Sequence, residues 1–125
     1  MENSQDARLD TQTCRVEDVV RMIGGKWKLL ILRHLIFGGT TRFNALHRHI
    51  EGITQTMLTK QLRQLEADGL VARRIYAEVP PRVEYALTDL GRSFQAPMGA
   101  LVAWADEHHR AIVEARQRYL AGAGE

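Results

Sequence analysis

Thr54-Gln55-Thr56-Met57-Leu58-Thr59-Lys60-Gln61-Leu62-Arg63-Gln64-Leu65-Glu66-Ala67-Asp68-Gly69 is the stretch on which the fold turns. Leu58, Leu62 and Leu65 recur at i, i+4 and i+7, one face of a helix. Thr56, Lys60 and Arg63 recur at the same spacing on the opposite face. Thr54 is placed to cap this helix and Gly69 to stop it. One side is therefore suited to a core. The other carries hydroxyl, ammonium and guanidinium groups, which donate hydrogen bonds to phosphates and base edges.

Upstream, Asn44 is a good N-cap for a brief helix to about His49, with Leu46 and Ile50 facing inward and Glu51-Gly52 making the turn. Downstream, Val71 to Tyr76 and Val83 to Leu87 read as paired strands, with Val71, Arg73 and Ile75 on one side and Val83, Tyr85 and Leu87 alternating similarly. The prolines of the connection 77–82 stiffen it. A short helix, a tight turn, a second helix and a basic hairpin point to a winged helix-turn-helix that binds DNA. The expected fold is mostly α with a small β-hairpin wing. Gln55, Thr56, Thr59, Lys60 and Arg63 would enter the major groove from the N-terminal half of the second helix, where glutamine and arginine bond base edges bidentately. Arg82, at the tip of the wing, would reach backbone or minor groove. The competing reading of Arg73, Arg74 and Arg82 is a charged edge that blocks aggregation. Arg74 is placed either to touch DNA or to pair with Glu84 across the strands.

Towards the N-terminus, Val16, Val19, Val20 and Ile23 form the stripe of a short helix that Gly24-Gly25 breaks. Lys26 to Phe37 reads as the central core helix, with Trp27 as an anchor and Leu29, Leu30, Ile31, Leu32, Leu35, Ile36 and Phe37 around most of its circumference. Lys26 and Lys28 are either solvated or on phosphate. Thr40 to Arg42 reads as a short strand. Thr88 caps a last helical region, which Pro97 should kink or split. Leu90, Phe94, Leu101, Trp104 and His108 then form a stripe continuing to about Tyr119. A small winged domain has little core left to cover such a stripe, and an exposed apolar stripe marks an interface. The expectation is a homodimer through the first and last helices, with Val16, Val20, Leu101, Trp104 and His108 in the contact. Residues 1–13 read as a flexible polar arm, 14–120 as one domain with flanking dimerisation helices, and 121–125 as a fraying tail.

Composition narrows the function classes. No run of about 18 apolar residues exists to span a membrane. Cys14 is the single cysteine, so no intrachain disulfide forms. The expected location is the cytoplasm. The net charge is +2, but its distribution is uneven: Lys26 to Arg92 hold eleven Lys or Arg against six Asp or Glu, and the remainder six against nine. The basic surplus sits on the segment suspected of meeting DNA. Gly24-Gly25-Lys26-Trp27 is no phosphate loop, because Trp27 stands where Ser or Thr must ligate magnesium. His47 and His49 point to opposite sides of their helix and His108 and His109 diverge, so no metal site is expected. No catalytic dyad or nucleophile elbow is visible. The chain reads as no enzyme, with no cofactor.

Cys14 with Ile23-Gly24-Gly25-Lys26-Trp27, Arg42-Phe43-Asn44-Ala45-Leu46, Gly52-Ile53-Thr54, Met57-Leu58-Thr59, Leu62-Arg63-Gln64-Leu65-Glu66, Asp68-Gly69-Leu70-Val71 and Val79-Pro80-Pro81-Arg82-Val83-Glu84-Tyr85 resembles the HxlR family of bacterial transcriptional regulators. The resemblance runs from about Cys14 to His109. It implies a homodimeric winged helix-turn-helix on a short, partly palindromic operator, with Arg42 joining the DNA-contacting set. Some members sense oxidants or electrophiles through the cysteine at this place. Cys14 stands before a helix start and beside Arg15, both of which favour a thiolate; packing under the dimer helices is the other reading. A lone cysteine senses only by an intersubunit disulfide or an adduct. The function read here is a DNA-binding regulator, a repressor, whose effector acts on Cys14 or as a small ligand at the dimer interface. The alternative is a winged-helix module for protein contact without sequence-specific DNA binding.

Overall fold

The structure, a computed structural model, describes residues 15–122. Cys14, the arm 1–13 and the last three residues of the tail lie outside the described residues. The chain divides after Arg92 into two compact units. The first contains helix α1 (15–23), α2 (Lys28–Gly38), strand β1 (Thr41–Arg42), α3 (Phe43–His49), α4 (Gln55–Ala67), β2 (Val71–Tyr76), β3 (Arg82–Leu87) and most of α5 (Asp89–Ser93). The second is built on one long helix, α6 (Gln95–Gly122).

Burial of three helix faces makes the core of the first unit. Ile31, Leu32 and Leu35 of α2, Leu46 of α3, and Leu58, Leu62 and Leu65 of α4 are all at most 2 % exposed, closed by Ile50, Ile53, Leu70 and Val71. The leucines expected to face inward on the second helix do so. The helix Lys26 to Phe37 needs correction. It starts at Lys28 and continues through Gly38, and Leu30 and Phe37 are exposed, Phe37 at 75 %. The helix buries the face of Lys28, Ile31, Leu32 and Leu35, and Leu30 and Phe37 lie off that face. Trp27 is half-buried at the helix start and its ring approaches Gly52 in the helix-turn-helix turn.

Lys28 belongs to neither expected class. It is buried, and its Nζ donates to the Arg21 carbonyl at 2.7 Å. It thus satisfies a carbonyl near the C-terminal end of α1, a group that the helix itself leaves without a partner. Lys26 instead lies 4.7 Å from the centre of the Trp27 ring. Arg21 also reaches Asp68, the C-cap residue of α4, at 2.6 Å.

The turn between α3 and α4 forms as its residues dictate. Gly52 takes φ +86°, a conformation that side chains disfavour, and Thr54 Oγ1 accepts from the Met57 amide at 3.1 Å. α3 starts two residues earlier than expected: Arg42 rather than Asn44 occupies the N-cap, no side chain caps the helix, and Asn44 lies inside it. The sheet is three-stranded and antiparallel in the order β1-β3-β2, with Thr41 opposite Tyr85 and Val71 opposite Leu87. Of the alternating strand residues, Val71, Tyr85 and Leu87 are buried, while Arg73 and Ile75 are exposed. The outer half of the hairpin extends beyond the core, so period-two alternation there has nothing to bury.

Thr88 caps α5: its Oγ1 accepts from the Gly91 amide and donates to the Gly69 carbonyl. The helical region breaks at Phe94, ahead of Pro97, which sits in the first turn of α6. Proline is tolerated there because a first-turn amide has no helical acceptor. α6 stays helical through Gly122, so the helix outlasts the expected limit near Tyr119. Along it Leu101, Val102 and Trp104 are exposed, and His108 stacks on Trp104 at 4.9 Å. Val16 and Val20 of α1 are likewise exposed, at 61 % and 59 %.

Candidate nucleic-acid interface

The outer face of α4 is open. Gln55, Thr56, Lys60 and Arg63 are exposed, and with Phe43, Thr59 and Gln64 they line one shallow concavity. Five of the sequence-derived residues therefore meet on one surface. Thr54 fixes the helix start beneath them. Thr59 is partly occupied, its hydroxyl donating to the Gln55 carbonyl at 2.9 Å.

A second concavity adjoins the first across Phe43 and Thr59, which line both. Its other walls come from α3 (Asn44, Ala45, Arg48), from Arg42 and from the wing (Arg73, Pro80, Pro81, Arg82). Four arginines thus surround one cleft between α3, α4 and the wing. Arg48 and Asn44 were missed in the sequence. The signal that could have found them is their i, i+4 spacing on α3, on the side away from buried Leu46.

Within the wing the arginines differ in their partners. Arg82 opens β3 and is only a quarter exposed: it lies 3.2 Å from Glu78 and 3.5 Å from Glu84, with its guanidinium 3.9 Å from the Tyr76 ring centre. An arginine free at the tip is therefore not what the structure has. Arg73 pairs with Glu66 at 3.4 Å. Arg74 is opposite Glu84 in register, but its side chain bonds the Tyr76 hydroxyl at 3.4 Å and Glu84 pairs with Arg82 instead. The hydrogen bond to Tyr76 raises the Arg74 pKa above its usual range. Burial raises the Tyr85 hydroxyl pKa, consistent with a core role beneath Phe43.

His47 and His49 bond the backbone. His47 Nε2 donates to the Ile53 carbonyl and His49 Nδ1 to the Ala45 carbonyl. Among the described residues no three metal-ligating side chains converge. No helix among them is long and apolar enough to cross a membrane.

Residues 22–113 match the HxlR-like helix-turn-helix family model. Among curated relatives, the HTH-type transcriptional regulator YybR of Bacillus subtilis (strain 168) is 46% identical over 81% of this chain and 79% of its own length. Among solved structures, the redox regulator HypR in its reduced form superposes with a TM-score of 0.73 at 44% identity, over 81% of this chain and 98% of that one. HypR in its oxidised form does so with a TM-score of 0.68 at 47% identity, over 75% and 96%. With a winged helix-turn-helix built as its sequence dictates and a family match across most of its length, the chain belongs to the HxlR family of DNA-binding transcriptional regulators.

Proposed function

We propose that this regulator acts in the cytoplasm as a homodimeric repressor on a partly palindromic operator, reading bases with the exposed face of α4. The observation that carries this reading is the placement of Thr56, Lys60 and Arg63 on solvent directly opposite Leu58, Leu62 and Leu65. Gln55 and Arg63 supply base-edge contacts; Thr56, Thr59, Lys60 and Arg42 hold the backbone. Arg82 contributes from the wing once phosphate replaces its carboxylate partners. The exposed apolar residues of α1 and α6 supply the dimer contact, which sets the two reading helices about one turn of DNA apart. A protein-contact module without DNA is set aside, because the family and its relatives are helix-turn-helix transcriptional regulators.

The signal is proposed to act on Cys14, by oxidation or electrophile addition. The support is the Arg15 neighbour in the sequence and the likeness to a redox regulator solved in reduced and oxidised forms. A small ligand at the dimer contact is the other route.

Footprinting on the region upstream of the gene tests the reading. Two protected half-sites with centres about 10 bp apart, or a multiple of that, are expected. A single asymmetric footprint rules out the dimeric arrangement, and no footprint rules out operator binding there.

A further inference from the structure

We propose that Arg48, with Asn44 one turn before it on α3, forms a phosphate site that holds the DNA backbone at the mouth of the cleft between α3, α4 and the wing. The inference deepens the DNA-binding reading and rests on it. Four arginines line this cleft, and they are not equivalent. Arg73 is held by Glu66, and Arg82 by Glu78 and Glu84. Their charge is balanced within the protein, and giving it to DNA requires breaking an ion pair. Arg42 and Arg48 have no carboxylate partner among the described residues. Arg48 is exposed and sits on rigid helix rather than on the hairpin.

The surroundings of Arg48 fit a phosphodiester. Asn44 lies on the same face and lines the same cleft, adding an amide donor. Arginine presents a planar fork of donors that matches phosphate oxygens. Thr59 of α4 lines this cleft and also the concavity with Gln55, Thr56, Lys60 and Arg63. A strand whose bases meet α4 therefore passes over the Phe43–Thr59 ridge into reach of Arg48. The first helix of a helix-turn-helix crosses the backbone while the second enters the groove. Arg48 fixes the register of α4 on the duplex and carries no base information itself.

The test compares wild type, Arg48→Gln, Arg48→Lys and Arg63→Ala by fluorescence anisotropy. The probes are a labelled duplex from the region upstream of the gene and a scrambled duplex of equal length, from about 50 to 300 mM salt. Arg48→Gln should weaken both duplexes by the same factor, about three- to tenfold near 100 mM salt, and lower the slope of log K against log salt by about one. Arg48→Lys should restore the slope. Arg63→Ala should weaken the upstream duplex more than the scrambled one. An unchanged slope in Arg48→Gln, or a loss confined to the upstream duplex, overturns the phosphate site while the DNA-binding reading stands. A wild type that binds neither duplex overturns both. Since Arg48 is exposed, an unchanged thermal melt shows that a loss is not a folding defect.

Discussion

Arg63 and Lys60 illustrate how a single side chain's place decides its work. Both leave α4 opposite the leucines that anchor it, so neither contributes to the core and both are free for a ligand. Arg63→Ala should cost about 1–3 kcal/mol of operator binding if it reads a base. It should shift the melting temperature little, as surface changes do. Leu62→Ala is the converse. Leu62 is 1 % exposed, and its truncation should cost about 2–5 kcal/mol of folding stability by denaturant titration. Leu58, Leu62, Leu65 and the outer triad were legible because helical period separates them cleanly. Lys28 was not. Its type says surface, and only the packing of α1 against α2 gives its ammonium a carbonyl to hold. His34 adds a pH test. Burial and the neighbouring His49 lower its pKa. A histidine whose folded value lies below 6.5 binds its proton more readily in the unfolded chain. The stability tied to neutral His34 is then fully present well above about pH 6.5 and is lost as pH falls through about 6.5 towards the folded value. His34→Gln should flatten that fall in urea titrations between pH 7.5 and 5.5. An equal slope in both proteins would remove His34 from the account.

At the scale of elements, the turn chemistry was readable and the wing was only half so. Thr54, Gly52 and Gly69 each do what their residue type favours, so the boundaries of α4 follow from sequence. Thr54→Ala should lower stability by about 1 kcal/mol in a thermal melt, because the Met57 amide loses its acceptor. In the hairpin the strands were clear, but the pairing of its charges was not. Whether Glu84 meets Arg74 or Arg82 depends on which way two long side chains lean, and Tyr76 takes both guanidinium groups on its ring side. The consequence is a wing whose arginine is held back by its own carboxylates. Glu78→Gln removes one of them and should raise affinity for any duplex at low salt, with a steeper salt dependence. Unaltered binding would mean that Arg82 takes no part. The apolar run of α2 misled for a related reason: Leu30 and Phe37 face away from the core, and composition alone does not say which side a helix will bury.

At the scale of the whole molecule, α1 and α6 each leave apolar groups open: Val16 and Val20 on the first, Leu101 and Trp104 on the second. The proposed homodimer covers them. Light scattering should give twice the chain mass for the wild type and a monomer or aggregate for Leu101→Asp, since a buried unpaired charge is costly. A monomeric wild type at micromolar concentration would leave these faces without a role. The proposed sensing role of Cys14 rests on the sequence, where one cysteine stands beside an arginine. Diamide should release DNA from the wild type but not from Cys14→Ser. Loss of binding in both, or in neither, would move the signal elsewhere. The central claim is that the open face of α4 recognises DNA, and a salt titration of binding tests it most directly. With a labelled duplex from the upstream region, log K should fall linearly with log salt at a slope of several units, and Lys60→Ala with Arg63→Ala should make it shallower by about one to two. A folded protein with no affinity for that duplex at about 50 mM salt, or a double variant that binds as the wild type does, would contradict it.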